Sequence, residues 1–161
     1  MSYTTYIGMG SNLGESREIL RSAVEQLKQL GQVRVSRLYE SPPMGPQDQP
    51  HYLNAVAQLE TTLNPLELLD HLQQFEQDAG RVRLRRWGER TLDLDLLLYA
   101  DQEIQHERLT VPHVGLLERD FVVVPLLDLN KNLVVKGQHL NELKLAQAPS
   151  LTVLAASDWA E

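Results

Sequence analysis

Hydrophobic and polar positions change period several times along this chain, and each change predicts an element. Residues 3–9 read as a strand, after which Ile19, Leu20, Ala23, Val24, Leu27 and Leu30 recur at helical spacing. Gly31 supplies the stop. Residues 33–40 alternate and predict a second strand. Residues 41–50 hold four prolines and a glycine, so they form a loop. Residues 52–62 predict a third strand. A second helix is well punctuated: Asn64 can cap it, Pro65 fits its first turn and Glu67 stands at capping-box spacing. Leu68, Leu72, Phe75 and Ala79 make its buried stripe, and Gly80 ends it. Residues 81–90 are a loop and 91–99 a fourth strand.

The order β-α-β-β-α-β is that of the ferredoxin-like fold, so the expected class is α+β, an antiparallel sheet with helices packed on it. Beyond this core the pattern predicts a C-terminal hairpin over 101–111 and a short helix near 115–119. An apolar run at 121–127 and a strand at 133–135 follow. The last twenty residues are poorly specified.

No repeat, low-complexity stretch or linker divides the 161 residues, and the length suits one domain over 1–161 with a core of its own. Cysteine is absent, which excludes disulfides, thiolate metal sites and a cysteine nucleophile. There is no secretory pattern at residues 1–5 and no apolar run near the ~20 residues of a membrane span. The expectation is a soluble cytoplasmic protein. A formal charge of −7 argues against nucleic acid or an anionic membrane as partner. The distribution says more: five of the 15 Lys and Arg residues (Arg81, Arg83, Arg85, Arg86, Arg90) fall within ten positions. Such a patch on an acidic chain suits a small polyanion; a solvated charged loop is the plainer reading.

The loop runs into Thr91-Leu92-Asp93-Leu94-Asp95. On a strand, Asp93 and Asp95 share one face, with Leu92, Leu94 and Leu96 on the other and Leu97 and Tyr99 continuing the aspartate face. Their Cα atoms would lie roughly 6.6 Å apart, twice the rise per residue. Two ionised carboxylates at that spacing repel by about 2–3 kcal/mol at an effective dielectric near 20. A cation between them relieves this, and oxygen-only ligands suit Mg²⁺. Two solvated aspartates paired with arginines are the alternative.

Other candidates divide the same way. Trp87, among charges, either anchors its loop or stacks on a flat ring. Tyr52 and Asn54 share a strand face, and Asn54 either reads a ring edge or is satisfied by backbone. Gln73 and Glu76 read as solvated helix surface. Gly8-Met9-Gly10-Ser11-Asn12-Leu13-Gly14 approaches the dinucleotide fingerprint, with Glu40 where a ribose-binding acid would stand. The third glycine arrives one residue late, and the β-β succession after it is no parallel crossover. Neither a P-loop nor a zinc spacing of the five histidines is present.

Four segments taken together resemble the 6-hydroxymethyl-7,8-dihydropterin pyrophosphokinase family. They are residues 7–14, residues 39–50 with 52–55, residues 86–95, and Arg108-Leu109-Thr110-Val111-Pro112-His113. They stand in the family's order from Ile7 to about Leu127, in its short single-domain form. The resemblance implies transfer of pyrophosphate from ATP to the pterin's hydroxymethyl group in folate biosynthesis, releasing AMP. It implies two Mg²⁺ ions on Asp93 and Asp95, and ATP bound by Gln73, Glu76, Arg83, Trp87, Leu96, Arg108, Thr110, His113 and Arg119. It also implies pterin bound by Ser41, Pro42, Pro43, Met44, Tyr52, Asn54, Trp87 and Phe121. Arg81, Arg83 and Arg90 would meet phosphates or assist closure, and the expectation is a monomer whose partners are small molecules. Departures are a loop from Arg83 to Trp87 one residue short of some members, Ser41 where threonine is familiar, and Val114 where an aromatic is common. Two rivals from other classes are a non-catalytic small-molecule sensor and a nucleic-acid-binding domain of the same architecture.

Overall fold

The computed structural model describes residues 2–12, 15–42, 51–79, 92–147 and 150–161. A six-stranded antiparallel sheet is its centre. β1 (Tyr3–Ser11) lies between β4 (Tyr52–Thr61) and β5 (Asp93–Tyr99). β4 in turn pairs with both β2 (Gln32–Val35) and β3 (Leu38–Ser41), and β10 (Thr152–Ala155) forms the outer edge against β3.

Alternation assigns the faces. Ile7 and Met9 of β1, Ala55, Ala57 and Leu59 of β4, and Leu92, Leu94 and Leu96 beside and within β5 join one core cluster. There they meet Leu20, Ala23, Val24 and Leu27 of α1 (Ser16–Lys28) and Leu68, Leu72 and Phe75 of α2 (Pro65–Asp78). Each helix buries one stripe, as its period requires. The expected capping box is present: Glu67 N–H donates to Asn64 Oδ1 at 2.9 Å, and Asn64 N–H to Glu67 Oε1 at 3.0 Å. Gly31 follows α1 at a close approach, where an added Cβ would lie 1.8 Å from the Glu60 carbonyl oxygen.

The opposite face is covered over part of its length by α3 (Asp120–Leu129), whose Val122, Val123 and Leu126 pack on Tyr6, Val56, Leu97 and Leu98. The apolar run at 121–127 is this helix, with Pro125 inside it. The hairpin is β6 (Ile104–His106) with β7 (Leu109–Val111), and Leu116–Glu118 form a 3-10 turn. β8 (Val134–Val135) pairs with β9 (Gln138–His139), ahead of a second 3-10 turn and the short α4 (Lys144–Gln147).

Three expectations are corrected. The strand expected over 33–40 is broken at Ser36-Arg37. Ser36 still exchanges bonds with Val56 there, its Oγ accepting from Val56 N–H and its N–H donating to Val56 O, both at 2.9 Å. The Trp159 indole N–H closes the break by donating to Ser36 O at 2.8 Å. Tyr99, expected on the aspartate face, joins the α1/α2 core instead. The register between β1 and β5 shifts between Tyr6 and Ile7, so Leu97 and Leu98 both enter the α3 cluster and later residues reverse face. The described part of the poorly specified tail takes regular structure: β10 pairs Thr152 with Glu40 and Val153 with Tyr39. Ser150 N–H and O–H both donate to Asp120 Oδ2 at 2.7 Å.

Candidate active site

Where α3 stops covering its sheet face, a cleft opens to solvent. Its floor is the sheet: Gly8 and Gly10 of β1, Asn54 of β4, and Asp93 and Asp95 of β5. Tyr52, Ser41 and Pro42 form one side and Arg119, Phe121 and Val122 another.

Strand register explains the floor. Gly10 pairs with Asp93 on one side and Asn54 on the other, and Gly8 pairs with Asp95 and Val56. Residues paired across antiparallel strands point to the same face, so the two carboxylates, two bare glycines and one amide share a surface. Gly8 and Gly10 thus lie within a strand, which runs on to Ser11, and not at a strand-to-helix turn. The dinucleotide-fingerprint geometry is absent at these two residues.

Asn54 is buried at 5% exposure, and its Nδ2 donates to Ser41 Oγ at 2.6 Å and more weakly to Tyr52 O at 3.4 Å. The amide is therefore oriented, with Oδ1 toward the space above Gly10, where an added Cβ would stand 3.5 Å from it. Arg119 sits with its guanidinium 5.9 Å from the Phe121 ring centre. Gly115 makes room for it, since a Cβ there would lie 2.6 Å from Arg119 Nε.

His113 is held from behind. Its N–H donates to Leu97 O at 3.0 Å, and its Nδ1 accepts from Gly115 N–H at 3.2 Å. That bond places the neutral ring's proton on Nε2, which lies 4.0 Å from Asp95 Oδ1. Burial, reinforced by the Arg119 charge, lowers the imidazole's pKa, while Asp93 acts in the opposite direction.

Arg108, Gln73 and Thr110 are exposed and are not among the residues lining the cleft; Arg108 donates to Asp70 Oδ1 and, at 3.2 Å, to Gln73 Oε1, tying the hairpin to α2. One residue lies differently from the sequence reading. Glu76 is not solvated surface: it is 6% exposed, and its Oε2 accepts from Leu94 N–H at 2.8 Å. Leu96 lies in the α1/α2 core, on the face opposite the aspartates, as alternation predicts. Pro43, Met44, Arg81, Arg83, Arg85, Arg86, Trp87 and Arg90 lie outside the described residues. Sequence reasoning missed Gly8 and Gly10 as floor residues, although their i, i+2 spacing on a strand was a usable signal.

The donor set around Asp93 and Asp95 is two half-exposed carboxylates on one face, hard oxygen ligands with open space in front. That fits Mg²⁺ ligated partly by substrate phosphate and water. Among the described residues no group of three or more His, Cys, Asp or Glu forms a cage that would hold a metal without such help.

The sequence matches the model of the 7,8-dihydro-6-hydroxymethylpterin-pyrophosphokinase (HPPK) family over residues 6–131. The chain belongs to the HPPK family. Among its relatives, the 2-amino-4-hydroxy-6-hydroxymethyldihydropteridine pyrophosphokinase of Haemophilus influenzae is 53% identical over 140 residues, 85% of this chain and 88% of that protein. The Pseudomonas aeruginosa protein of the same name is 48% identical over 153 residues, covering 92% and 94%. A crystal structure of wild-type Plasmodium falciparum HPPK-DHPS with STZ-DHP aligns with a TM-score of 0.73 at 13% identity. The alignment takes in 95% of this chain and 47% of that longer one, and at such identity the likeness concerns fold alone. The family model runs from within β1 to beyond α3 and takes in every described residue of the HPPK cleft floor.

Proposed function

We propose that this cleft joins ATP and 6-hydroxymethyl-7,8-dihydropterin. The enzyme transfers pyrophosphate from ATP to the pterin's hydroxymethyl group, giving AMP and the pterin diphosphate in folate biosynthesis. ATP is the co-substrate. In the reaction the hydroxymethyl oxygen bonds to the β-phosphorus, the bond from that phosphorus to the bridging oxygen of AMP breaks, and AMP departs. The observation that carries the reading is the row Asp93–Gly10–Asn54 across the floor, acid at one end and an oriented amide at the other. Family membership selects this enzymatic reading over the sensor and nucleic-acid rivals.

Asn54, with Ser41, Tyr52 and Pro42 around it, reads the polar edge of the pterin, and Phe121 stacks on the ring. Pro43, Met44 and Trp87, which lie outside the described residues, are assigned to the same pterin site by the family resemblance. Asp93 and Asp95 would hold Mg²⁺, two ions, which would supply positive charge against the triphosphate. Arg119 and Arg108, with Arg81, Arg83 and Arg90 of the arginine-rich segment, meet phosphate oxygens and stabilise charge developing on the transferred group and on AMP. His113 offers Nε2–H as a neutral donor at the same end, and Gln73 and Thr110 border the nucleotide. Glu76 and Leu96 contribute through the strand they hold or belong to. Fixing both substrates in line removes a large entropic cost.

The core order, with β2 and β3 counted as one interrupted strand, reads as the ferredoxin-like arrangement. We take residues 1–161 as one domain acting as a cytoplasmic monomer; no described helix is long and apolar enough to cross a membrane. Incubation with ATP, Mg²⁺ and 6-hydroxymethyl-7,8-dihydropterin tests the reading. AMP and pterin diphosphate are expected in equal amounts, whereas ADP in place of AMP, or no pterin-dependent product, contradicts it.

A further inference from the structure

Residues 150–155 lie beyond the family match, which ends at residue 131, and they join the two side walls of the cleft. β10 pairs Thr152 with Glu40, the residue before Ser41 and Pro42 of one wall. Ser150, just ahead of β10, gives both its backbone N–H and its hydroxyl to Asp120 Oδ2, each at 2.7 Å. Asp120 stands between Arg119 and Phe121 of the other wall. Neither Asp120 nor Ser150 lines the cleft itself, so whatever they do for it acts through their neighbours.

Asp120 is the first residue of α3, where a carboxylate commonly serves the free N–H groups of its own helix. Here it reaches out of the helix to Ser150 instead. Two donors on one carboxylate oxygen make a short, charge-assisted contact of fixed direction. The far end of the segment is anchored in the core. Trp159 is 2% exposed and gives its indole N–H to Ser36 O at 2.8 Å. Arg21 donates to the Trp159 and Glu161 carbonyl oxygens at 3.1 and 2.7 Å. At its last turn α3 is tied to β3 directly, through Asp128 with Tyr39 and the adjoining Arg37. The helix is therefore fastened to the β3 side at both ends, and residues 150–152 fasten the end that carries Phe121.

We propose that residues 150–155 are a strap that fixes the separation of the two side walls, with Asp120 the positioning residue that transmits it to Phe121. This rests on the pyrophosphokinase reading above, which gives Ser41, Pro42 and Phe121 to the pterin. With the strap fastened, the ring enters a slot of set width between the end of β3 and Phe121. With Asp120 released, the first turn of α3 shifts more freely, and ordering it becomes a cost of binding. Arg108 and His113 belong to other elements, so pterin binding responds more than ATP binding does. An aspartate that only favoured the start of its helix by charge would serve stability and leave pterin affinity alone.

The test compares wild type with Asp120→Ala, Asp120→Asn, Ser150→Ala and the Asp120→Ala/Ser150→Ala double variant. Equilibrium binding of 6-hydroxymethylpterin is measured with Mg²⁺ and a non-hydrolysable ATP analogue, together with melting temperature, kcat and KM for each substrate. Asp120→Ala is expected to weaken pterin binding roughly fivefold, the scale of one exposed hydrogen bond to a charged group. Its KM for pterin is expected to rise more than its KM for ATP, with kcat little changed. Ser150→Ala keeps the backbone donor and is expected to lose less. The double variant is expected to match Asp120→Ala, because both changes remove one interaction. Asp120→Asn keeps an oxygen acceptor without the charge and is expected to bind pterin nearly as wild type does. Unchanged pterin affinity in both single alanine variants overturns the proposal, as do losses that add in the double variant. An asparagine variant as weak as the alanine one also overturns it, by assigning the effect to charge at the helix start. Wild type that binds both ligands but releases no AMP sinks the pyrophosphokinase reading instead, and the binding measurement separates the two failures.

Discussion

The Glu76 carboxylate accepts a 2.8 Å hydrogen bond from the backbone N–H of Leu94, the residue between Asp93 and Asp95. A helix side chain thereby pins the strand segment that presents both acids. Burying a carboxylate is costly unless it is hydrogen-bonded, so its placement here fixes backbone. Glu76→Leu is expected to cost about 1–3 kcal/mol by leaving a buried donor unmet. In a domain of this size that is roughly 3–10 °C of melting temperature. Glu76→Gln keeps an acceptor and is expected to recover most of the loss; equal melting temperatures for wild type and the leucine variant would refute the pinning role.

Asn54 joins Ser41 to the floor through its 2.6 Å bond. Asn54→Ala removes the oriented amide, and pterin affinity is expected to fall by about 1–3 kcal/mol, tenfold or more. Pterin titration in the presence of an ATP analogue checks this. A loss confined to ATP binding would place the amide at the wrong substrate.

Asp128 collects three donors of Arg37 and the hydroxyl of Tyr39, joining α3 to β3 behind the cleft. Burial, with the Asp128 hydrogen bond and charge adding to it, holds the Tyr39 pKa well above its ordinary value. A group with a raised folded pKa contributes fully below its unfolded value, near 10, and loses that contribution as pH rises beyond it. Tyr39→Phe is expected to lower stability at neutral pH by about 1–2 kcal/mol. It is also expected to flatten the alkaline decline expected of wild type above about pH 10. Parallel alkaline curves in urea unfolding would contradict the assignment.

Gly31→Ala tests the tight junction between α1 and β2. The methyl carbon would fall 1.8 Å from the Glu60 carbonyl oxygen, so backbone must move. Loss of about 3 kcal/mol or more is expected, in the range of strained core substitutions, read as a large drop in the urea midpoint. A midpoint near that of wild type would show that the junction yields easily.

Much of this was legible in the residues because the determinants were local. The capping box of α2 needed Asn64, Pro65 and Glu67 alone, and alternation placed Asp93 and Asp95 together opposite Leu94 and Leu96. Tyr99 was misplaced because one extra residue at a bulge reverses the period, and nothing in Leu96-Leu97-Leu98 announces it. Glu76 looked like surface because its partner is a backbone amide 18 positions away, a contact no helical pattern encodes. The tail was opaque for the same reason: Ser150, β10 and Trp159 each take their structure from distant partners, Asp120, β3 and Ser36.

The central claim is that the paired carboxylates of β5 carry the transfer, and steady-state AMP release by Asp93→Ala and Asp95→Ala measures it most directly. Each variant is expected to fall at least about a hundredfold in kcat, with a melting temperature close to that of wild type because both side chains are partly exposed. AMP release at the wild-type rate from either folded variant would contradict the account.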